Sequence, residues 1–109
     1  MGIQVCEIHT GPYAAVFHSQ GRDPESPAVA KEIAKIAKAG DKIQSLGMRF
    51  NAGHALNYFN VQPIAALPGV RELHIGHAIV SRSVLVGMRE AVREMKRLMR
   101  EAQVLGARP

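Results

Sequence analysis

Two rhythms of apolar spacing alternate along this chain, one of period two and one of period three to four. Ile3 to His9 (IQVCEIH) is a short apolar, β-branched run closed by Gly11-Pro12, which predicts a first strand. Alternation puts Ile3, Val5, Glu7 and His9 on one face and Gln4, Cys6 and Ile8 on the other. Gly11 to Ser26, rich in Gly, Pro and polar residues, reads as a long loop. Ser26-Pro27 then opens a helix to about Leu46, with Val29, Ile33, Ile36, Ala37, Ile43 and Leu46 facing inward, four lysines facing water and Gly47 closing it. Met48 to Ala52 is a second strand ending in Gly53-His54. Asn60 is placed to cap a short helix that runs to about Leu67 and stops at Pro68-Gly69. Glu72 to Ile75 is a third strand, ending in Gly76-His77. A long helix follows, with Val84, Met88, Ala91, Val92, Met95, Leu98, Met99 and Ala102 on its apolar stripe and a bend or break at Gly87. The order is βαβαβα, which calls for a parallel α/β sheet with right-handed crossovers in one domain spanning residues 1–109. The tail from Gly106 to Pro109 is expected to fray.

Composition narrows the setting. At 109 residues the chain can hold one core, and a complete (β/α)₈ barrel needs roughly 250 residues. Barrel-like motifs here can only be part of a barrel. The lone Cys6 excludes an internal disulfide framework and fits a reducing compartment. No apolar run approaches 18 residues and no signal-peptide pattern opens the chain, so the expectation is a cytoplasmic protein without a membrane partner.

The net charge of +5 is uneven: residues 1–81 carry +1 and residues 82–109 carry +4. The excess lies on the last helix, where Glu90 can pair with Arg93, Glu94 with Arg97 and Arg97 with Glu101 at helical spacing. A salt-bridged surface helix, five aromatic residues in all and no RNA-stacking motif argue against nucleic acid as a partner.

Candidate chemistry gathers at the strand ends. In parallel sheets, ligands meet the C-terminal ends of strands, where loops and helix N-termini present unpaired N–H groups. The first strand end offers Glu7, His9 and Thr10; the second Asn51, Gly53 and His54; the third Gly76 and His77. Gly76-His77 leading straight into a helix suits a phosphate group. Glu7 lies in an otherwise apolar strand, where a buried carboxylate needs a partner or a special role. His9 and His74 carry a weaker signal, His18 reads as exposed, and Cys6 reads as sheet packing. The five histidines form no i, i+4 pair, so no metal is expected.

The segments EIHTGPYA (Glu7–Ala14), NAGHALNYFNVQPIA (Asn51–Ala65) and ELHIGHAIV (Glu72–Val80), followed by GMREAVREMKRLM, together resemble the C-terminal part of the pyridoxine 5'-phosphate synthase family. The resemblance implies part of a (β/α)₈ barrel, with the three strands standing as its sixth to eighth. It implies condensation of 1-deoxy-D-xylulose 5-phosphate with 3-amino-2-oxopropyl phosphate, releasing phosphate and water, without a metal or organic cofactor. By motif, His54 matches the catalytic proton donor and Glu7 the transition-state-stabilising glutamate, while Gly76 and His77 match the pair that holds the aminoketone phosphate. The residue after the NAGH histidine, usually glycine, is Ala55 here; its N–H can still bind that phosphate, but a positive φ would be strained.

The family's proton-accepting residues and most of its deoxyxylulose contacts lie on earlier strands. The resemblance therefore implies a partner, either the missing N-terminal half-barrel or a homo-oligomer, beside the phosphorylated small-molecule substrates. Full activity of the isolated chain is not expected. The alternative is a catalytically silent fragment or assembly partner that binds a phosphate metabolite.

Overall fold

The computed structural model describes residues 4–106. Ile3 and the tail beyond Gly106 lie outside them. Strands β1 (Val5–His9), β2 (Arg49–Gly53) and β3 (Val70–His74) pair in parallel in the order β1-β2-β3. The two sheet faces differ in chemistry. Cys6, Ile8, Phe50, Ala52 and Leu73 contribute to the core on the helix side, whereas Val5, Glu7, His9, Glu72 and His74 stand on the other face and are exposed. Hydrophobic burial thus drives one face onto helices and leaves a polar face uncovered.

Among the described residues, five helices complete the order: α1 (Gly11–Ser19), α2 (Pro27–Ser45), α3 (Val61–Ala65), α4 (His77–Val86) and α5 (Met88–Gly106). Val29, Ile36 and Ile43 of α2 join Tyr13, Phe17, Phe50 and Ile64 in one cluster. Helix α2 comes close enough that a Cβ on Gly40 would stand 2.4 Å from the Phe50 ring. Gly87, at φ +89° and ψ 154°, separates α4 from α5, a conformation open essentially to glycine alone.

The structure corrects several expectations. Residues Gly11 to Ser19 are helical rather than loop: Pro12 lies in the first turn, where its missing N–H costs nothing, and Tyr13, Ala14 and Phe17 turn one buried face inward. Leu46 is 60% exposed because it follows the last turn of α2. Only part of the C-terminal stripe is covered: Ala91, Met95 and Ala102 are buried, while Val84, Met88 and Val92 remain exposed. The break at Gly87 separates Val84 from the buried residues of α5, whereas Met88 and Val92 lie on α5 itself and stay exposed. Glu94 bonds Arg82 of α4 at 3.3 Å in place of Arg97, whereas the Glu90–Arg93 and Arg97–Glu101 pairs form. Asn60 precedes α3 but its side chain caps nothing there; it braces the preceding loop. Among the described residues, no helix is long and apolar enough to cross a membrane.

Candidate active site

Parallel register lines up the chemistry in two rows across the exposed face. Glu7, Asn51 and Glu72 are neighbours in one row, and His9, Gly53 and His74 in the next, at the C-terminal rim. Row spacing in a sheet is about 4.8 Å between strands, so side chains of one row can meet. The Glu7 carboxylate and His74 Nε2 are 3.4 Å apart, and Glu72 approaches the same nitrogen at 4.0 Å. Glu7 is therefore paired but not buried: its side chain is 45% exposed, because alternation places it on the uncovered face. Gly53 is required between the histidines, since a Cβ there would stand 2.8 Å from the His74 Cβ and 3.0 Å from its carbonyl oxygen. Asn51 is buried, and its Oδ1 accepts no hydrogen bond among the described residues.

Beyond β2 the chain takes an unusual path. His54 and Ala55 have φ of +96° and +60°, conformations that cost a non-glycine residue about 1–3 kcal/mol each. Surrounding groups fix them. The Thr10 N–H donates to the Gly53 carbonyl at 2.8 Å, extending the ladder past the strand, and Thr10 Oγ1 donates to the His54 carbonyl at 2.7 Å. Asn60 Nδ2 donates to the Ala55 carbonyl at 3.1 Å, and the Tyr13 hydroxyl donates to the Asn60 carbonyl at 2.6 Å. Burial pushes the Tyr13 phenol far above its ordinary range, so it stays protonated and keeps donating. The positive φ that the Ala55 position raised as a question is present, and it extends to His54.

The His54 ring stacks on His9, with centroids 4.1 Å apart and planes inclined by 26°. Glu7, His54, Ala55, His74, Gly76 and His77 line one open hollow of about 250 Å³. Helix α4 starts there, with Gly76 before its first turn and no side chain capping its free N–H groups. A Cβ on Gly76 would touch nothing within 4 Å, so the backbone edge lies open to the hollow. The partial positive charge of a helix N-terminus beside an imidazole favours an anion of phosphate size.

All five residues singled out by sequence, Glu7, His54, Ala55, Gly76 and His77, line this one hollow. His9 and His74, whose sequence signal is weaker, stand beside these residues: the His9 ring stacks on His54, and His74 lines the hollow and approaches Glu7. Alternation puts His9 on the face of Glu7, and His74 stands two residues before Gly76. His18 is exposed and does not line this hollow. Among the described residues, no cluster of three or more His, Cys, Asp or Glu could hold a metal ion.

A parallel α/β sheet whose strand ends bring a carboxylate, imidazoles and an uncapped helix N-terminus to one hollow defines an α/β protein with an acid–base, anion-accepting rim. Comparison with known proteins narrows this class: the family model described as "Pyridoxal phosphate biosynthesis protein PdxJ" matches residues 1–101, and the chain belongs to that family. Relatives named pyridoxine 5'-phosphate synthase include those of Aromatoleum aromaticum, 73% identical over 106 residues, and Azoarcus sp. strain BH72, 76% identical over 102 residues. These alignments cover 97% and 94% of this chain but 42% and 41% of the relatives. A more distant relative from Gloeothece citriformis is 48% identical over 99 residues, which is 91% of this chain and 38% of that protein. The chain thus spans about two-fifths of the length of the curated relatives it matches.

Proposed function

We propose that this chain supplies the proton-donor and aminoketone-phosphate part of a pyridoxine 5'-phosphate synthase site, its three strands standing as the sixth to eighth of a (β/α)₈ barrel. The observation that carries the reading is the strained, over-determined backbone at His54 and Ala55, fixed by Thr10 and Asn60 at a strand end opposite Gly76 and His77. Strain of this kind persists where geometry at a site must be held.

In this reading, 3-amino-2-oxopropyl phosphate seats its phosphate on the N–H groups at the start of α4, with His77 and the Ala55 N–H as further donors. His54 passes a proton to a departing hydroxyl as the ring closes with 1-deoxy-D-xylulose 5-phosphate. Glu7, steadied by His74, supplies the negative charge that stabilises a cationic iminium intermediate. The polar sheet face becomes the barrel lumen once a partner carrying the earlier strands, or a second copy, closes over it. The chain works in the cytoplasm on phosphorylated small molecules.

The test is a synthase assay of this chain with a separately expressed N-terminal portion of the Azoarcus relative, each part alone and His54→Ala serving as controls. Product that requires both parts and His54 is expected. A soluble complex that binds the phosphate ester without turnover would replace this reading with a silent phosphate-binding fragment.

A further inference from the structure

We infer that His9 is the positioning residue for His54, orienting the imidazole by stacking and leaving both of its nitrogens free for substrate; this rests on the reading of His54 as proton donor. Three observations converge. The two rings stack at 4.1 Å between centroids and 26° between planes. Among the described residues, the His54 ring makes no hydrogen bond, so the stack is what defines its plane. The His9 ring is itself fixed at its edge, because the Gly11 N–H donates to His9 Nδ1 at 3.1 Å.

That bond has two consequences. Nδ1 acts as an acceptor, so the proton of the neutral His9 ring resides on Nε2. It also seats the ring directly over Gly11, where an added Cβ would stand 2.4 Å from Cε1 and 2.9 Å from Nδ1. Glycine at this helix start makes room for His9, and His9 makes a flat seat for His54.

Catalytic histidines are commonly oriented by a carboxylate that occupies one ring nitrogen. Stacking constrains the plane and leaves the edges unoccupied. Here the edges matter, because Glu7, His74 and His77 line the same hollow as His54, and the substrate must come among them. The backbone strain at His54 sets where its Cα stands; His9 sets where its ring points.

The test compares His9→Ala with His9→Phe, which restores a flat ring without a titratable nitrogen. In the 109-residue chain by NMR, His9→Ala should shift the His54 ring-proton resonances by removing the neighbouring ring current, while His9→Phe keeps them displaced. In the assay with the N-terminal portion, His9→Ala should lower kcat about ten- to a hundred-fold, the scale of a misplaced catalytic group. KM for the aminoketone phosphate should stay within about two-fold, and His9→Phe should recover most of kcat. Unmoved His54 resonances in His9→Ala, a kcat within about three-fold of wild type, or a His9→Phe variant as slow as His9→Ala would each overturn the inference. If the wild-type pair forms no product, the synthase reading fails, and the NMR comparison still decides whether the His9 ring stacks on His54.

Discussion

The Thr10 hydroxyl donates a 2.7 Å hydrogen bond to the carbonyl of His54, a residue 44 positions away whose φ is +96°. Thr10 is fully buried, so this contact pins the end of β1 to the strained turn after β2. Thr10→Val keeps the shape and removes the donor. It should cost about 1 kcal/mol in urea denaturation, since the exposed His54 segment can turn its carbonyl to water. Thr10→Ser should recover most of that loss. Equal stabilities for Val and Ser would show that the bond does not hold the turn.

Positive φ at His54 reverses an ordinary ranking. At most sites Gly is less stable than Ala because it loses more backbone freedom on folding, by about 0.4–1 kcal/mol. At His54 the strain relieved by glycine, about 1–3 kcal/mol, is larger. His54→Gly should therefore be about 1 kcal/mol more stable than His54→Ala. Parallel thermal melts of the two variants decide the sign.

The sheet and the rim were legible because β-branched runs, Gly-His strand ends and lysine-faced helices leave periodic marks. Helix α1 was hidden because Gly11-Pro12 reads as a stop, although proline in a first turn is also a start. The positive φ at Ala55 is flagged by the glycine that the family usually places there, whereas at His54 it has no mark: only glycine advertises positive φ in a sequence, and a histidine does not. The apolar stripe through Val84 and Met88 reads as one helical face, but the break at Gly87 divides it, and apolar spacing does not tell whether the chain covers either part. The His9–His54 stack depends on the path of the loop after β2, which no local pattern encodes.

Two glycines should fail for different reasons. Gly40→Ala drives a Cβ to within 2.4 Å of the Phe50 ring, an overpacking cost of about 1–3 kcal/mol, and Phe50→Leu beside it should recover part of the loss. Gly87→Ala meets no atom within 4 Å, so its similar cost, about 1–3 kcal/mol, comes from φ +89° alone. No neighbouring truncation should rescue it. Double-mutant cycles by chemical denaturation separate the two: coupling between residues 40 and 50 is expected, and its absence would mean that α2 shifts freely over the sheet.

Alkaline pH should act chiefly through Tyr13. Burial raises its phenol well above the ordinary value of 10.0, whereas in the unfolded chain it titrates near that value. Below pH 10 both states hold the proton and the stabilisation is complete. Above pH 10 the unfolded chain releases it while the folded chain does not, so stability falls by up to about 1.4 kcal/mol per pH unit until the folded-state value is reached. Tyr58, raised by burial and then by Glu94, with Arg82 opposing, adds to the decline in the same direction. Tyr13→Phe loses the bond to the Asn60 carbonyl, which should cost about 1 kcal/mol at pH 7. It should also flatten the loss above pH 10 relative to wild type, because the two proteins differ only in the Tyr13 hydroxyl. Urea denaturation across that range, with tyrosinate absorbance followed alongside, measures both effects; equally steep declines would show that the Tyr13 hydroxyl ionises freely in the folded protein.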